Sequence, residues 1–434
     1  MSQTLQISVF EADVTPPLGH PLCAGWYPPA IGVTDPLKAL GIILLPPDAL
    51  PIVICAVDWS EISNRSHVAW RQALAQAAGT LPERVAVHCT HAHNTPWPDE
   101  VANELMEKAG GPPIMDARWC SAALTRVAEA ARASLPHARA VSRVGVGEAV
   151  VRGIASNRRI PGPGGEVRAV RWTVTRDPEV RAEPEGVIDP LLRTIRFDSP
   201  TGPIAVLHFY TTHPTSFDGD GLVTNEFCGL ARERRREQQP GVMHLYLTGC
   251  AGNITAGKYN EGNSASRVHF TEVLEAAMAE AENSSREVDF STLAWSHLPV
   301  VLPPRPDDRE EAPWAALEDR ALRFKRRSQA ALRLAYLQRL DEPIQFGCLR
   351  VGDEAMLLFL PGEAFVEYQL FAQQLKPGAW MAVAAYGDCG PGYIPLARSF
   401  YEGGYEPTDA FVSPEAEPVM RRAIETLVNA PVTP

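Results

Sequence analysis

No stretch of this 434-residue chain comes near the roughly 18–20 consecutive apolar residues a bilayer span needs, so no stable membrane insertion is expected. The start, Met1-Ser-Gln-Thr-Leu-Gln6, has neither a charged leader nor an apolar run, and a secretory signal is therefore not expected. Cysteine is sparse: eight residues, at positions 23, 55, 89, 120, 228, 250, 348 and 389, never spaced as C-x-x-C. Free buried thiols and a cytoplasmic location follow as expectations. Positive charge is short as well, with 40 Lys and Arg against 52 Asp and Glu and a net charge of −12. Nucleic acid and anionic membranes, which demand clustered cations, are excluded as partners on that ground. The one basic cluster, Arg232-Glu-Arg-Arg-Arg236, falls in a helical pattern and is expected on a solvated face. Internal repeats and low-complexity segments are missing too.

What the chain does have is a 45% hydrophobic content and a recurrent grammar of short apolar runs that each deliver a polar loop. Val85-Ala-Val-His-Cys89 delivers Thr90-His-Ala-His-Asn-Thr-Pro96, with two histidines at i and i+2. Ile204–Tyr210 delivers Thr211-Thr-His-Pro-Thr-Ser216, and Val242–Leu247 delivers Thr248-Gly-Cys-Ala-Gly-Asn-Ile-Thr255. Ala355–Leu360 delivers Pro361-Gly-Glu363, and Met381–Ala385 delivers Tyr386-Gly-Asp-Cys-Gly-Pro-Gly-Tyr393. Continuous β-branched and apolar runs bounded by Gly and Pro predict strands buried on both faces, in an α/β fold with a layered mixed sheet flanked by helices. Polar groups placed just past such strands gather at the carboxyl edge of the sheet, where open α/β folds bind ligands. Two histidine loops and one glutamate loop on that edge make an N₂O set suited to Zn²⁺ with an open coordination position.

Helices are predicted at about Ser66–Ala78, Ala117–Ser134, Asn225–Gln238, Arg267–Glu282, Trp314–Leu340 and Pro414–Leu427 from i, i+3, i+4 apolar spacing. Leu298–Pro313 is rich in Pro and charge and is expected to be irregular, so that about 312–340 forms a helical excursion on one large domain spanning 1–434. Ile52–Val57 is a buried strand ending in Asp58, which is either an orienting carboxylate or a turn residue. His88, within its strand, belongs to the core, and Asp388 is open between a site role and a structural one.

Taken in order, Ala12-Asp-Val-Thr-Pro-Pro-Leu-Gly19, Asp35-Pro-Leu37, the His91/His93 loop, Asn157-Arg158, Thr212-His-Pro-Thr215, Gly249-Cys-Ala-Gly-Asn-Ile254, Pro361-Gly-Glu363, Gly392-Tyr-Ile394 and Gly404-Tyr-Glu406 resemble the catalytic portion of the neutral/alkaline non-lysosomal ceramidases. The resemblance implies a zinc ion held by His91, His213, Glu363 and Tyr393, the last of which spacing alone does not indicate. It implies further that His93, Arg158 and Tyr405 are active-site residues, with the role of His93 open between acid/base, ligand of a second ion and hydrogen-bond donor. One loop departs from the family: Gly252-Asn-Ile-Thr255 stands where the ceramidases carry a G-D-V-S type sequence, which leaves the roles of Asn253 and Thr255 open. No counterpart of that family's secretion signal or C-terminal immunoglobulin-like domain is expected in this sequence. A zinc-dependent amidohydrolase acting on linear amides is the reading that results, with a small N-acyl or amide compound preferred over ceramide as substrate. A zinc esterase or lactonase on the same site, or a binding protein that has lost turnover, remain the alternatives.

Overall fold

The structure is a computed structural model, and residues 4–305 and 311–431 are described. Three mixed sheets form the centre, where a single sheet edge was expected. The first has the order Val85–Cys89, Ile52–Val57, Lys38–Leu45, Gln6–Asp13, Arg139–Ala140. The second runs Met243–Thr248, Gly202–Tyr210, Leu191–Ser199, Arg143–Val150, Arg286–Val288, and the third Leu293–Val300, Ile344–Val351, Ala355–Phe359, Trp380–Ala384. Each sheet is an antiparallel ribbon ending in one parallel edge pair: 52–57 with 85–89, 202–210 with 243–248, and 355–359 with 380–384. An uninterrupted apolar run reports burial on both faces but carries no label of which sheet it joins. That is why the strands were legible and their partition was not.

Alternation along each strand sorts its side chains between two cores. Ile52, Ile54 and Ala56 face inward with Leu40, Ile42, Leu207, Leu245, Leu357 and Ala382, so all three sheets share this cluster. The alternate residues Val53, Cys55 and Val57 pack with Trp70 and Leu74 of the helix Asn64–Ala78. At about 1.5–3 kcal/mol per buried large aliphatic side chain, this two-sided burial holds the strand ends firmly enough to carry loops. The three parallel edges meet at their carboxyl ends: Cys89 N donates to Tyr386 O at 2.9 Å, Ala385 N to Thr248 O at 2.9 Å, and the Thr248 hydroxyl to Thr90 O at 2.8 Å.

The helices at Asn64–Ala78, Ala117–Ser134, Glu226–Gln238, Ser264–Asn283 and Ala416–Asn429 lie where spacing put them. The single helix expected over Trp314–Leu340 is instead two, Glu311–Glu318 and Phe324–Leu337. Asp319 is the cause: its carboxylate accepts from Ala321 N at 2.8 Å, and its carbonyl from Leu322 N at 3.2 Å. A turn closed by an Asp side chain competes with helix continuation. Within Leu298–Pro313, the strand Leu293–Val300 reaches further than expected, and the part of that prediction on 306–310 lies outside the described residues, as do Met1–Gln3 of the leader argument. A short helix, Glu100–Lys108, was not foreseen; Asp99 caps it by accepting from Ala102 N. Among the described residues no helix is long and apolar enough to cross a membrane, and all eight cysteines are buried and unpaired.

The basic cluster is not a solvated face. Arg232 is 0% exposed and pairs bidentately with Asp58, itself 0% exposed, at 2.7 and 2.9 Å. Arg235 is buried too, bonded to Glu282 at 3.0 Å. A charge run on one helix does not reveal partners that other elements bring to it. Asp58 is accordingly neither a turn residue nor a site carboxylate: it joins the first sheet to this helix.

His88 is in the core as expected, with Nδ1 2.7 Å from Ala385 O, and His67 Nε2 lies 3.0 Å from Val87 O. Burial pushes His67 down to about 4 and His88 to about 3 from an ordinary 6.5. The unfolded chain therefore binds these protons near pH 6.5 while the folded chain refuses them, so stability is full above that pH and is lost as pH falls toward 4. At pH 5 the loss is about 2 kcal/mol per imidazole. The urea midpoint should drop clearly between pH 7.5 and pH 5, and an unchanged midpoint contradicts the assignment of neutral core histidines.

Candidate metal centre

Three loops, one from each sheet, place their polar residues at the junction of the parallel edges. His91 follows the strand Val85–Cys89 in a left-handed conformation (φ 69°), held by its own N–H to Trp59 O at 3.0 Å. A non-glycine residue in that region is strained and persists only where its surroundings impose it. His213 follows Gly202–Tyr210. Glu363 follows Ala355–Phe359 through Gly362 (φ 55°) and pairs in parallel with Tyr393. The loop Gly252-Asn-Ile-Thr255 makes room for that turn: a Cβ on Gly252 would meet Glu363 O at 2.2 Å. Asn253 then braces it, accepting from Val366 N at 2.9 Å and donating to Glu367 at 2.9 Å, while Thr255 accepts from Gly257 N.

His91 Nε2 and His213 Nε2 are 3.1 Å apart, and Glu363 Oε2 lies 3.4 Å from the first and 3.1 Å from the second. Both imidazoles have their Nδ1 against a backbone carbonyl, His91 on Ser60 O at 3.0 Å and His213 on Ala251 O at 2.8 Å. Those contacts commit the Nδ1 protons and leave each Nε2 a bare lone pair. Glu363 Oε2, buried, has no hydrogen-bond donor. Three acceptors thus face one another, an arrangement that a cation at their centre relieves. A point just off their plane lies about 2 Å from all three, the length of zinc–nitrogen and zinc–oxygen bonds. Burial first, then the nearby Arg158 charge, holds His213 well below the ordinary imidazole range, and burial also lowers His91.

Tyr393, Tyr405, His93 and Arg158 line the same cavity, of about 490 Å³. The Tyr393 and Tyr405 hydroxyls are 3.1 Å apart. The His93 ring is centred 5.0 Å from His91 and 5.6 Å from His213. Its Nδ1 sits 3.0 Å from Asp218 Oδ2, which also accepts from the Tyr27 hydroxyl at 2.7 Å. Arg158 is 6% exposed, with its guanidinium 5.5 Å over the Tyr405 ring. Asp388 belongs elsewhere: it accepts from Asn64 N at 3.0 Å and pairs with Arg339, tying the second excursion helix to the Tyr386–Tyr393 loop.

Sequence reading missed Glu61, Tyr386, Tyr27 and Asp218. Glu61 is 1% exposed, 3.8 Å from His91 Nδ1, and burial followed by Glu363 raises its carboxyl well above the ordinary range. Tyr386, also left-handed (φ 59°), stacks on His91 with centroids 4.2 Å apart. Both stand just past buried strands, the same signal that found His91. Asp218 sits five residues after His213 in a Gly- and Asp-rich loop, with no pattern that pairs it to His93.

A second buried group, His208, His244 and Glu282, places its donor atoms within 3.9 Å of one another. Glu282, however, already takes two bonds from Arg235, and burial followed by Arg235 drives His244 down to about 3. The carboxylate has its cation, so this group is a structural polar network in the core, with His244 Nε2 left without a hydrogen-bond partner.

No family model matches the chain, and no curated protein matches it in sequence. Solved structures do match in fold. A ceramidase complexed with C2 superposes with a TM-score of 0.72 at 15% identity, covering 100% of this chain and 77% of that one. The neutral ceramidase from Pseudomonas aeruginosa gives 0.71 at 15% identity, covering 100% and 76%. The chain has the fold of a ceramidase catalytic domain.

Proposed function

We propose that this protein is a zinc-dependent amidohydrolase that cleaves the linear amide of a small N-acyl compound. The observation that carries the reading is the unprotonated triangle of His91 Nε2, His213 Nε2 and Glu363 Oε2. These three would hold the ion, with Tyr393, beside Glu363 in register, as the fourth ligand. Zinc there supplies Lewis-acid polarisation of the amide carbonyl and an acidified water as nucleophile. The remaining chemistry belongs to the chain. His93, held by Asp218 through Nδ1, takes the proton of the attacking water at its other nitrogen and returns it to the leaving amine. The Tyr405 hydroxyl, beside that of Tyr393, donates to the oxygen on which negative charge develops. The left-handed turn at His91 and the stacked Tyr386 ring fix one imidazole plane before substrate arrives.

Two measurements test this. Hydrolysis of a chromogenic N-acyl amine should be abolished by a chelator and restored by zinc, and chelator-resistant turnover would sink the metal assignment. A soluble short-chain N-acyl amine should show a higher kcat/KM than long-chain ceramide in detergent micelles; the reverse order would restore a lipid substrate. Asp218→Asn should cost about 10–100-fold in kcat with KM little changed, since the imidazole loses its orienting carboxylate and not its place. An unchanged kcat and an unchanged pH profile would show that His93 acts without Asp218.

A further inference from the structure

Arg158 is a buried guanidinium without a counter-ion. It is 6% exposed, its Nε has no hydrogen-bond partner, and among the described residues no carboxylate lies within ion-pair distance. Its guanidinium stands over the Tyr405 ring, and its charge reaches His213 and the buried Glu406 carboxyl without forming an ion pair. A charge taken out of water and left unpaired is costly, and proteins keep such groups where a ligand completes them. Three more cations line the cavity. Arg323, Lys325 and Arg326, from the start of the helix Phe324–Leu337, line the same space. Lys325 lies 4.3 Å over the Trp26 ring and Arg326 bonds Gln329; the charges of both reach Asp409 on the same lining, but no described carboxylate lies within ion-pair distance of any of the three. In a chain of net charge −12 these four cations share the cavity lining with Glu61, Glu363 and Asp409, and Arg158 is the one among them that is buried.

We infer that the substrate's amine half carries a carboxylate, so that the protein acts on an N-acylated amino acid, with Arg158 binding that carboxylate and the Arg323–Lys325–Arg326 rim drawing it in. This rests on the amide-hydrolase reading and narrows it. The position follows from the cavity: Arg158 covers Tyr405, whose hydroxyl is 3.1 Å from that of Tyr393, so an anion on Arg158 sits close to the scissile group. A guanidinium fork matches a carboxylate with two parallel hydrogen bonds, which a neutral alcohol or ester does not reproduce. The indole of Trp172, 55% exposed and 4.8 Å from the Tyr405 ring, offers an apolar surface for the acyl chain.

The test separates binding from turnover. N-octanoyl-phenylalanine with its amide replaced by a methylene ketone, and the methyl ester of that compound, are titrated calorimetrically into the zinc-loaded protein. The acid should bind at least about 30-fold more tightly than the ester, with the gap closing in high salt. A buried Gln in place of Arg158 risks misfolding, so the decisive variant is the exposed triple Arg323→Gln/Lys325→Gln/Arg326→Gln, which should narrow the ratio to under about 5-fold. Equal affinity of acid and ester, or a ratio the triple variant leaves unchanged, overturns the inference. Hydrolysis of N-octanoyl-phenylalanine and its ester is measured beside it. Turnover of both with equal affinity leaves the hydrolase and removes the anion site, whereas acid-selective binding without turnover of either leaves the anion site and removes the hydrolase.

Discussion

His91→Ala/His213→Ala should purify without stoichiometric zinc and lose at least about 1000-fold in kcat/KM. Lewis-acid stabilisation contributes several kcal/mol to such a reaction, and each 1.4 kcal/mol is a factor of ten. The two imidazoles supply two of the three converging acceptors, and the Glu363 carboxylate with the Tyr393 hydroxyl is too small a set to hold a divalent ion against water. Elemental analysis of the purified variant is the check, and stoichiometric zinc would show that the ligands lie elsewhere. Loss of metal must be told from loss of fold. Without an ion the wild-type triangle sets lone pairs against one another at 3.1–3.4 Å, so removing two of them should leave the metal-free variant about as resistant to urea as the metal-free wild type. Glu363→Gln should weaken zinc binding while keeping both histidines, because it removes the negative charge from the set.

The largest effect on stability should come from a pair outside the cavity. Arg232→Met leaves Asp58 as a lone carboxylate at 0% exposure, and breaking one side of a buried pair costs about 3–5 kcal/mol. Asp58 keeps only the Lys38 backbone N–H, at 2.9 Å, as a donor. Urea unfolding reads the change, and a loss under about 1 kcal/mol would mean that water or another cation replaces the guanidinium. Asp58→Leu/Arg232→Met, which removes both charges, should recover a good part of the loss, since the penalty is mainly the unpaired charge. The pair also bears on the site. Asp58 ends the strand whose Val57 carbonyl accepts from Thr90 N, one residue before His91, so the single variant should lower zinc affinity as well.

What the sequence determined by itself is local. The strands before His91, His213, Glu363 and Tyr386 were legible because continuous apolar runs closed by Gly, Pro and small polar residues have one economical use, a strand buried on both faces that ends at a loop. The helices were legible from spacing where no side chain competed with the backbone, and Asp319 marks where one did. The two histidines and the glutamate of the candidate centre were legible for the same reason, each standing at the end of such a run. Tertiary structure alone decided the rest. It divided the strands among three sheets and brought the parallel edge of each to one junction. It fixed the histidine tautomers, since the carbonyls of Ser60 and Ala251 stand 31 and 38 residues away along the chain. Asp218 was brought to His93 across 125 residues and Arg232 to Asp58 across 174. A carboxylate, an arginine or a tyrosine looks the same in sequence whether it is solvated or buried. Only the packing of distant segments sets its dielectric and its partner, and with them whether it is a surface charge, a structural pair or part of a site.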